Sequence, residues 1–328
     1  MSRPKPLGRF LELGYVTSDL GAAMAAFRAE FGIERWMETG IATIDLGAGR
    51  TAQLKIAVAF MGRVLIELQE PIGGDVDWYR DVLPQQGFAV RLHHLGFGVP
   101  SAEALDAARD VLAGSHAVPF SGPFGTGSRY FFADARDRLG LYLEYIHFGS
   151  EFDGAVPVNP PAIVAGGRLA DTLQIAWVTT DYDRALTILR DDYGFERFFE
   201  TGLVDADLGG GQMAKLKVAI ADLDGIQFEL IAPISGAVDL HRMGLPDDGS
   251  FATRFHHLAF FAPDRATLER IRAGAAARGD RMPIHGEFGS SGYFYVDSRE
   301  RVGHCLEYIY YTPDYDALIP RNLGCDGA

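Results

Sequence analysis

RLHHLGFGV at residues 91–99 decides the reading, because it returns as RFHHLAFFA at 254–262. Each stretch reads as a β-strand with alternating sides. In the first, Leu95, Phe97 and Val99 share one side, suited to packing beneath a helix. His94 shares the other side with Gly96 and Gly98, small neighbours that leave room beside an imidazole. By strict alternation the preceding residues, His93 and His256, turn to the helix-facing side, as structural or ligand-supporting groups.

Outward from this pair, the whole chain is doubled. ELGYVTSDL (12–20) matches QIAWVTTDY (174–182), LKIAVAF (54–60) matches LKVAIAD (216–222), and IELQEP (66–71) matches FELIAP (228–233), all at an offset of 162 residues. From RLHHLGFGV onward the offset is 163, and LYLEYI (141–146) then matches HCLEYI (304–309). Even FDGAVPVN (152–159) corresponds to YDALIPRN (315–322). Such sustained order marks a tandem duplication of a domain-sized unit. The expected division is a first domain over 1–150, an exposed Pro- and Gly-containing linker over 151–168, and a second domain over 169–328.

Within each copy the order is an apolar strand, an Asp-started helix and three strands, and then the series begins again. Leu20, Met24, Phe27 and Phe31 recur at helical spacing, with Ser18 or Asp19 as N-cap and Gly32 as stop. Tyr182, Leu186, Leu189 and Tyr193 repeat the pattern before Gly194. After the second opening strand, Ser101 caps a helix carrying Leu105, Ala108 and Leu112. The fold class is therefore α+β, with four βαβββ units. Gly209-Gly210-Gly211 lacks the strand–helix setting of a phosphate loop and reads as a turn.

Bulk composition narrows the function. A chain of 328 residues with 48% apolar and 23% charged residues is an ordinary globular one. A net charge of −14 without a Lys/Arg-rich run excludes nucleic acid and anionic membrane as expected partners. Cys305 and Cys325 form no disulfide framework, and no signal-like or membrane-spanning run is present, so a cytoplasmic location is expected. His304 and Cys305 are adjacent in a strand and face opposite ways, which argues against a nucleophilic pair.

Acidic residues interrupt otherwise apolar strands, and burying a carboxylate without a partner is costly. Glu67 lies opposite Ile66 and Leu68, and Glu144 opposite Leu143 and Tyr145. These positions, with the Asp-capped helix, IEL…P, HHLGF and LEYI, resemble the vicinal-oxygen-chelate superfamily of glyoxalases, methylmalonyl-CoA epimerases, bleomycin-resistance proteins and extradiol dioxygenases. The likeness covers nearly the whole chain, and IELQEP, DWYRDVL and LHHLGFGV resemble the epimerase/glyoxalase branch most. It implies open, curved half-barrel sheets with helices outside and metal ligands on the concave face. Carried over, the ligand positions are Glu12, Glu67, His94 and Glu144 in the first copy and Gln174, Glu229, His257 and Glu307 in the second. The second set matches a glyoxalase combination; in the first, Glu12 replaces the usual His or Gln, and three carboxylates overcompensate a doubly charged ion unless one is protonated or does not bind it, so the second set is the preferred expectation. Units pair either within a copy or crosswise between copies.

Such donors suit a divalent ion: Mg, Mn, Fe(II), Co, Ni or Zn. The resemblance implies an isomerase, epimerase or lyase that stabilises an enediolate on a small oxygen-chelating substrate, with Glu307 or Glu144 as base. Alternatives are an Fe(II) extradiol-type dioxygenase with its site in the second domain, and a non-catalytic sequestering protein. Lys55, Lys217, Tyr130 and Tyr293 repeat and are candidate substrate contacts, with a snorkelling edge lysine and core packing as their plain structural roles. Trp78, replaced by Leu240 in the second copy, marks either a difference between the two pockets or a loop position. A monomer or homodimer is expected.

Overall fold

A computed structural model describes residues 8–150, 154–159, 163–164, 167–168, 173–223, 225–289 and 291–322. The first copy runs β1 (Arg9–Thr17), α1 (Leu20–Phe31), β2 (Met37–Gly47), β3 (Arg50–Met61), β4 (Val64–Gly74), α2 (Asp77–Arg80), β5 (Val90–Gly98), α3 (Ala102–Leu112), β6 (Phe120–Phe124), β7 (Ser128–Asp134) and β8 (Tyr142–His147). Short strands β9 (Val158–Asn159), β10 (Ile163–Val164) and β11 (Gly167–Arg168) follow. The second copy repeats the order as β12 (Leu173–Thr179), α4 (Tyr182–Asp191), β13 (Phe199–Asp207), β14 (Met213–Leu223), β15 (Ile226–Gly236), α5 (Asp239–Arg242), β16 (Thr253–Phe261), α6 (Arg265–Ala277), β17 (His285–Phe288), β18 (Ser291–Val296), α7 (Arg299–Val302), β19 (Cys305–Tyr310), α8 (Pro313–Asp316) and β20 (Arg321–Asn322).

The expected helix signals work locally. Asp19 and Asp181 accept hydrogen bonds from the backbone N–H groups of Ala22 and Arg184, and Ser101 does the same for Ala104. Gly32 ends α1 at φ 70°, the left-handed conformation that a side chain resists. The glycine run 209–211 is a turn between β13 and β14, with positive φ at all three residues.

Each copy forms its own sheet, in the order β2-β3-β4-β1-β5-β8-β7-β6 and its counterpart β13-β14-β15-β12-β16-β19-β18-β17. The βαβββ units therefore pair within copies, through the antiparallel neighbours β1/β5 and β12/β16. Each sheet curls until its edges approach. Tyr130 of β7 donates its hydroxyl to the carbonyl of Asp45 in β2 at 2.8 Å, and Tyr293 of β18 does the same to Asp207 in β13 at 3.0 Å. Within the stretch expected as an exposed linker, β9 pairs in parallel with β3, and Asn159 is buried. Its side-chain oxygen accepts from the backbone N–H groups of Glu34 and Arg35. In the second copy β20 pairs with β14 in the same way, as the matched chain ends imply. Cys305 is buried, which pushes its thiol up to about 12; Cys325 lies outside the described residues. Among the described residues no helix is long and apolar enough to cross a membrane.

The helix-bearing sides of the two sheets share one core. Phe10 meets Phe228 edge-on at 6.3 Å, and Phe31 meets Phe260 at 5.8 Å. Arg138 pairs with Asp192 at 2.9 Å, and its pseudo-symmetric counterpart Arg301 pairs with Glu30. His304 belongs to this junction. Its Nδ1–H donates to the carbonyl of Cys305 at 2.8 Å, which leaves Nε2 to accept the Tyr15 hydroxyl at 3.0 Å. Burial lowers the His304 ring to about 4, so it is neutral near pH 7. Tyr15→Phe leaves that buried nitrogen unsatisfied and should cost about 1–3 kcal/mol. Urea unfolding should show a lower midpoint, and an unchanged one would mean that the bond contributes nothing.

Candidate metal centre

Four neighbouring strands, β4-β1-β5-β8, supply the first copy's polar cluster from the concave side. The register sets their side chains in two adjacent rows. Gly14 pairs with both Glu67 and His94, while Gly96 pairs with both Glu12 and Glu144. Each row thus has a glycine between its polar residues, and the space it vacates is used. A Cβ on Gly14 would lie 1.9 Å from His94 Nε2, and one on Gly96 would lie 2.6 Å from Glu12 Cβ. Gly96 therefore makes room for Glu12, and the imidazole is accommodated by Gly14, which the strand pattern alone does not indicate. Ala176 and Ala259 hold these places in the second copy.

The side chains converge. His94 Nε2 lies 3.1 Å from Glu144 Oε2, 3.4 Å from Glu67 Oε2 and 3.7 Å from Glu12 Oε1. His257 Nε2 lies 3.1 Å from Glu307 Oε2 and 3.4 Å from Glu229 Oε2. Gln174 is fully buried beside them and gives its amide N–H to Gln227 at 3.3 Å. Its Oε1 has no hydrogen-bond partner of normal geometry, nor do Glu67 Oε2 and Glu229 Oε2. In each cluster the ligand atoms of the acidic and imidazole groups lie within 4.8 Å of one another. Opposite ligands of a six-coordinate ion with bonds near 2.1 Å are separated by roughly 4.2 Å. Buried acceptors without donors, drawn together at this spacing, fit a divalent cation.

Electrostatics brings the two sets closer than their sequences suggest. Burial, and then the charge of Glu67, raises Glu12 well above the usual carboxylate range. Without an ion in the cluster, this favours the neutral acid at the position where the second copy carries the uncharged Gln174 amide. Burial also raises Glu144 and Glu307. Burial opposes charging of the His257 ring, yet Glu229 and Glu307 outweigh it and hold it up at about 9.

His93 and His256 do not face the helices, contrary to strict alternation. In the register Gly14 pairs with His94 but Tyr15 with Leu92, so His93 is the extra residue of a β-bulge. His256 is skipped in the same way between Ala176 and Trp177. The bulge turns both rings inward, with Nδ1 of His93 3.0 Å from Nδ1 of His94, and 2.8 Å for the second pair. His256 Nε2–H donates to the carbonyl of Leu240 at 3.1 Å. Its Nδ1 must then accept from His257 Nδ1–H, which leaves His257 Nε2 aimed at the carboxylates. The bulged residue fixes the tautomer of its neighbour.

Other anticipated contacts divide. Tyr130 lines a cavity of about 500 Å³ whose walls include Phe60, Phe124 and Phe148 and whose polar end is Glu12, Glu67 and Glu144. Lys55 is not part of that lining; it pairs with Glu70 at 3.2 Å. Lys217 sits over the Tyr182 ring at 5.1 Å. Trp78 stacks on Phe120 at 3.8 Å, within an aromatic cluster that also holds His93.

No family model matches the sequence, and no curated protein matches it. Among solved structures, a mutant of 4-hydroxymandelate synthase from Streptomyces coelicolor superposes with a TM-score of 0.54 at 14% identity, over 98% of this chain and 95% of that one. The chain shares the fold of that structure over nearly its whole length. Two further structures are similar over most of their length. The Mn(II)-bound glyoxalase from Novosphingobium aromaticivorans has a TM-score of 0.48, 12% identity, and covers 97% of this chain and 87% of its own. For 2,2',3-trihydroxybiphenyl 1,2-dioxygenase from Sphingomonas wittichii the values are 0.46, 15%, 96% and 95%. At these identities the likeness is one of fold.

Protons and a cation compete for these clusters. The His257 ring holds its proton near neutrality, so binding there should tighten as pH rises toward about 9, where that proton is lost. Titrating Zn²⁺ into metal-free protein in weak buffer at pH 7 should release protons; uptake, or no change, would contradict this arrangement.

Proposed function

We propose that the chain is a divalent-metal-dependent enzyme of two tandem domains acting on a small molecule with two adjacent oxygens. Within that class we assign it as an isomerase, epimerase or lyase of the glyoxalase/epimerase type, with its working site in the first copy. The observation that carries the assignment is the cavity of about 500 Å³ ending on Glu12, Glu67 and Glu144. That volume is within the ordinary range for a small-molecule site.

His94, Glu67 and Glu12 would hold the cation, and Glu144 shares the same floor. A bound divalent ion would supply Lewis-acid charge at the oxygens on which an enediolate develops. Glu144 is the base: its carboxylate receives the proton removed from the carbon beside the carbonyl, and burial, which raises its proton affinity, suits it to hold that proton and return it. Phe132 and Ile146, both buried in the lining, keep water from the proton in transit. Glu307 is the equivalent group in the second cluster.

The ligand chemistry weighs against a ring-cleaving dioxygenase. Two-His-one-carboxylate sets typify non-haem Fe(II) oxygenases, whereas each cluster here has one inward-directed Nε2, and the neighbouring histidine is turned Nδ1 to Nδ1. The apolar cavity also suits a sequestering protein, which would bind without turnover.

Solvent deuterium exchange into α-hydroxy ketones, followed by NMR alongside elemental analysis, separates these readings. Glu144→Gln should retain metal and lose exchange by about 10²–10⁴-fold, the usual contribution of a general base. His94→Ala should lose the first site's metal, and His257→Ala should keep exchange. Exchange that survives in His94→Ala and vanishes in His257→Ala would move the chemistry to the second copy. Oxygen uptake on catechols would instead establish the dioxygenase.

A further inference from the structure

The two copies differ in chemical character at concave positions that line the first cavity. Phe60, Leu65 and Phe132 line the first cavity, and the second copy has Asp222, Gln227 and Tyr295 at those positions. Phe148 is likewise replaced by Tyr311. The duplicated backbone therefore tolerates polar groups at these places, as the buried Asp222 and Gln227 demonstrate. In the first copy those same places are hydrocarbon.

Charge is equally one-sided. No Lys, Arg or His is among the described residues lining the first cavity, and its ionisable acids are confined to the cluster end. Lys55 is engaged by Glu70 outside it, and the Tyr130 hydroxyl is used in closing the sheet edge. Thr39, Thr43 and Gln69 offer neutral polar atoms only. A carboxylate, phosphate or sulfonate on the body of a ligand would meet no counter-charge among aromatic walls and would face the acids of the floor, an unfavourable burial of charge.

We infer that the first copy's pocket selects a substrate with an uncharged, largely hydrocarbon body, aromatic or alicyclic, carrying its paired oxygens at one end. Short dicarboxylates, whose second charge would lie against these walls, are thereby disfavoured as substrates. The inference rests on the proposed function only for the oxygen-bearing end; the selection against charge rests on the walls.

The test uses two fluorescent probes with the same ring body, uncharged N-phenyl-1-naphthylamine and its sulfonate, 1-anilinonaphthalene-8-sulfonate, with metal-free and Zn²⁺-loaded full-length protein. The uncharged probe should bind at least tenfold more tightly in both forms. Phe60→Asp, which introduces the residue found in the second copy, should weaken it at least fivefold with little change in melting temperature. Phe124→Arg, which adds the missing cation, should strengthen the sulfonate at least fivefold. Equal or tighter binding of the sulfonate to the unaltered protein would overturn the inference, as would failure of the uncharged probe to bind. Displacement of the uncharged probe by benzoin and by deoxybenzoin separates this from the proposed function. If Zn²⁺ gives benzoin no advantage over deoxybenzoin, the chelation reading fails while the selection for an uncharged body stands.

Discussion

Bringing acids and an imidazole together inside an oily curved sheet is the constraint on which the rest depends. Such groups are tolerated away from water only when they face partners, and here the partners come from four adjacent strands. Side chains from adjacent strands ordinarily stand beside one another rather than meeting. Curvature tips them inward; in the first copy Gly14 and Gly96 leave the room that His94 and Glu12 occupy, while the second cluster converges with Ala176 and Ala259 at those places. The bulge at His93 adds a second imidazole against the first.

Duplication supplies the other half of the explanation. The helix-bearing sides of both sheets bury a common apolar core, and the junction keeps an approximate twofold relation in its ion pairs, Arg138 with Asp192 and Arg301 with Glu30. Packing there holds both copies to the same pattern. The concave sides differ in character: Phe60, Leu65 and Phe132 stand before the first cluster, and acid, amide and phenol groups stand at the matching positions of the second.

Glu12 illustrates why a ligand set is poorly judged by counting formal charges. As an ionised group it makes the first set too negative for a divalent ion. Without an ion, burial beside Glu67 pushes it toward the neutral acid, at the place where the second copy has the Gln174 amide. The first cluster is, in addition, the floor of a cavity of about 500 Å³.

The sequence by itself determined the doubled α+β architecture, the helix starts at Asp19, Asp181 and Ser101, and the inward side of Glu67, His94 and Glu144. These follow from periodicity and capping, which act over a few residues and leave their mark in the order of the chain. Only the tertiary structure decided that units pair within copies, that Asn159 ties a strand back onto the first sheet, that Gly14 makes room for His94, and that His93 turns inward. A bulge adds one residue on one strand opposite a partner some eighty residues away, and nothing local signals it. The cavity belongs to the same class. Its walls come from strands far apart in sequence, and whether a phenylalanine fills a core or faces open space is set by what curvature brings opposite it.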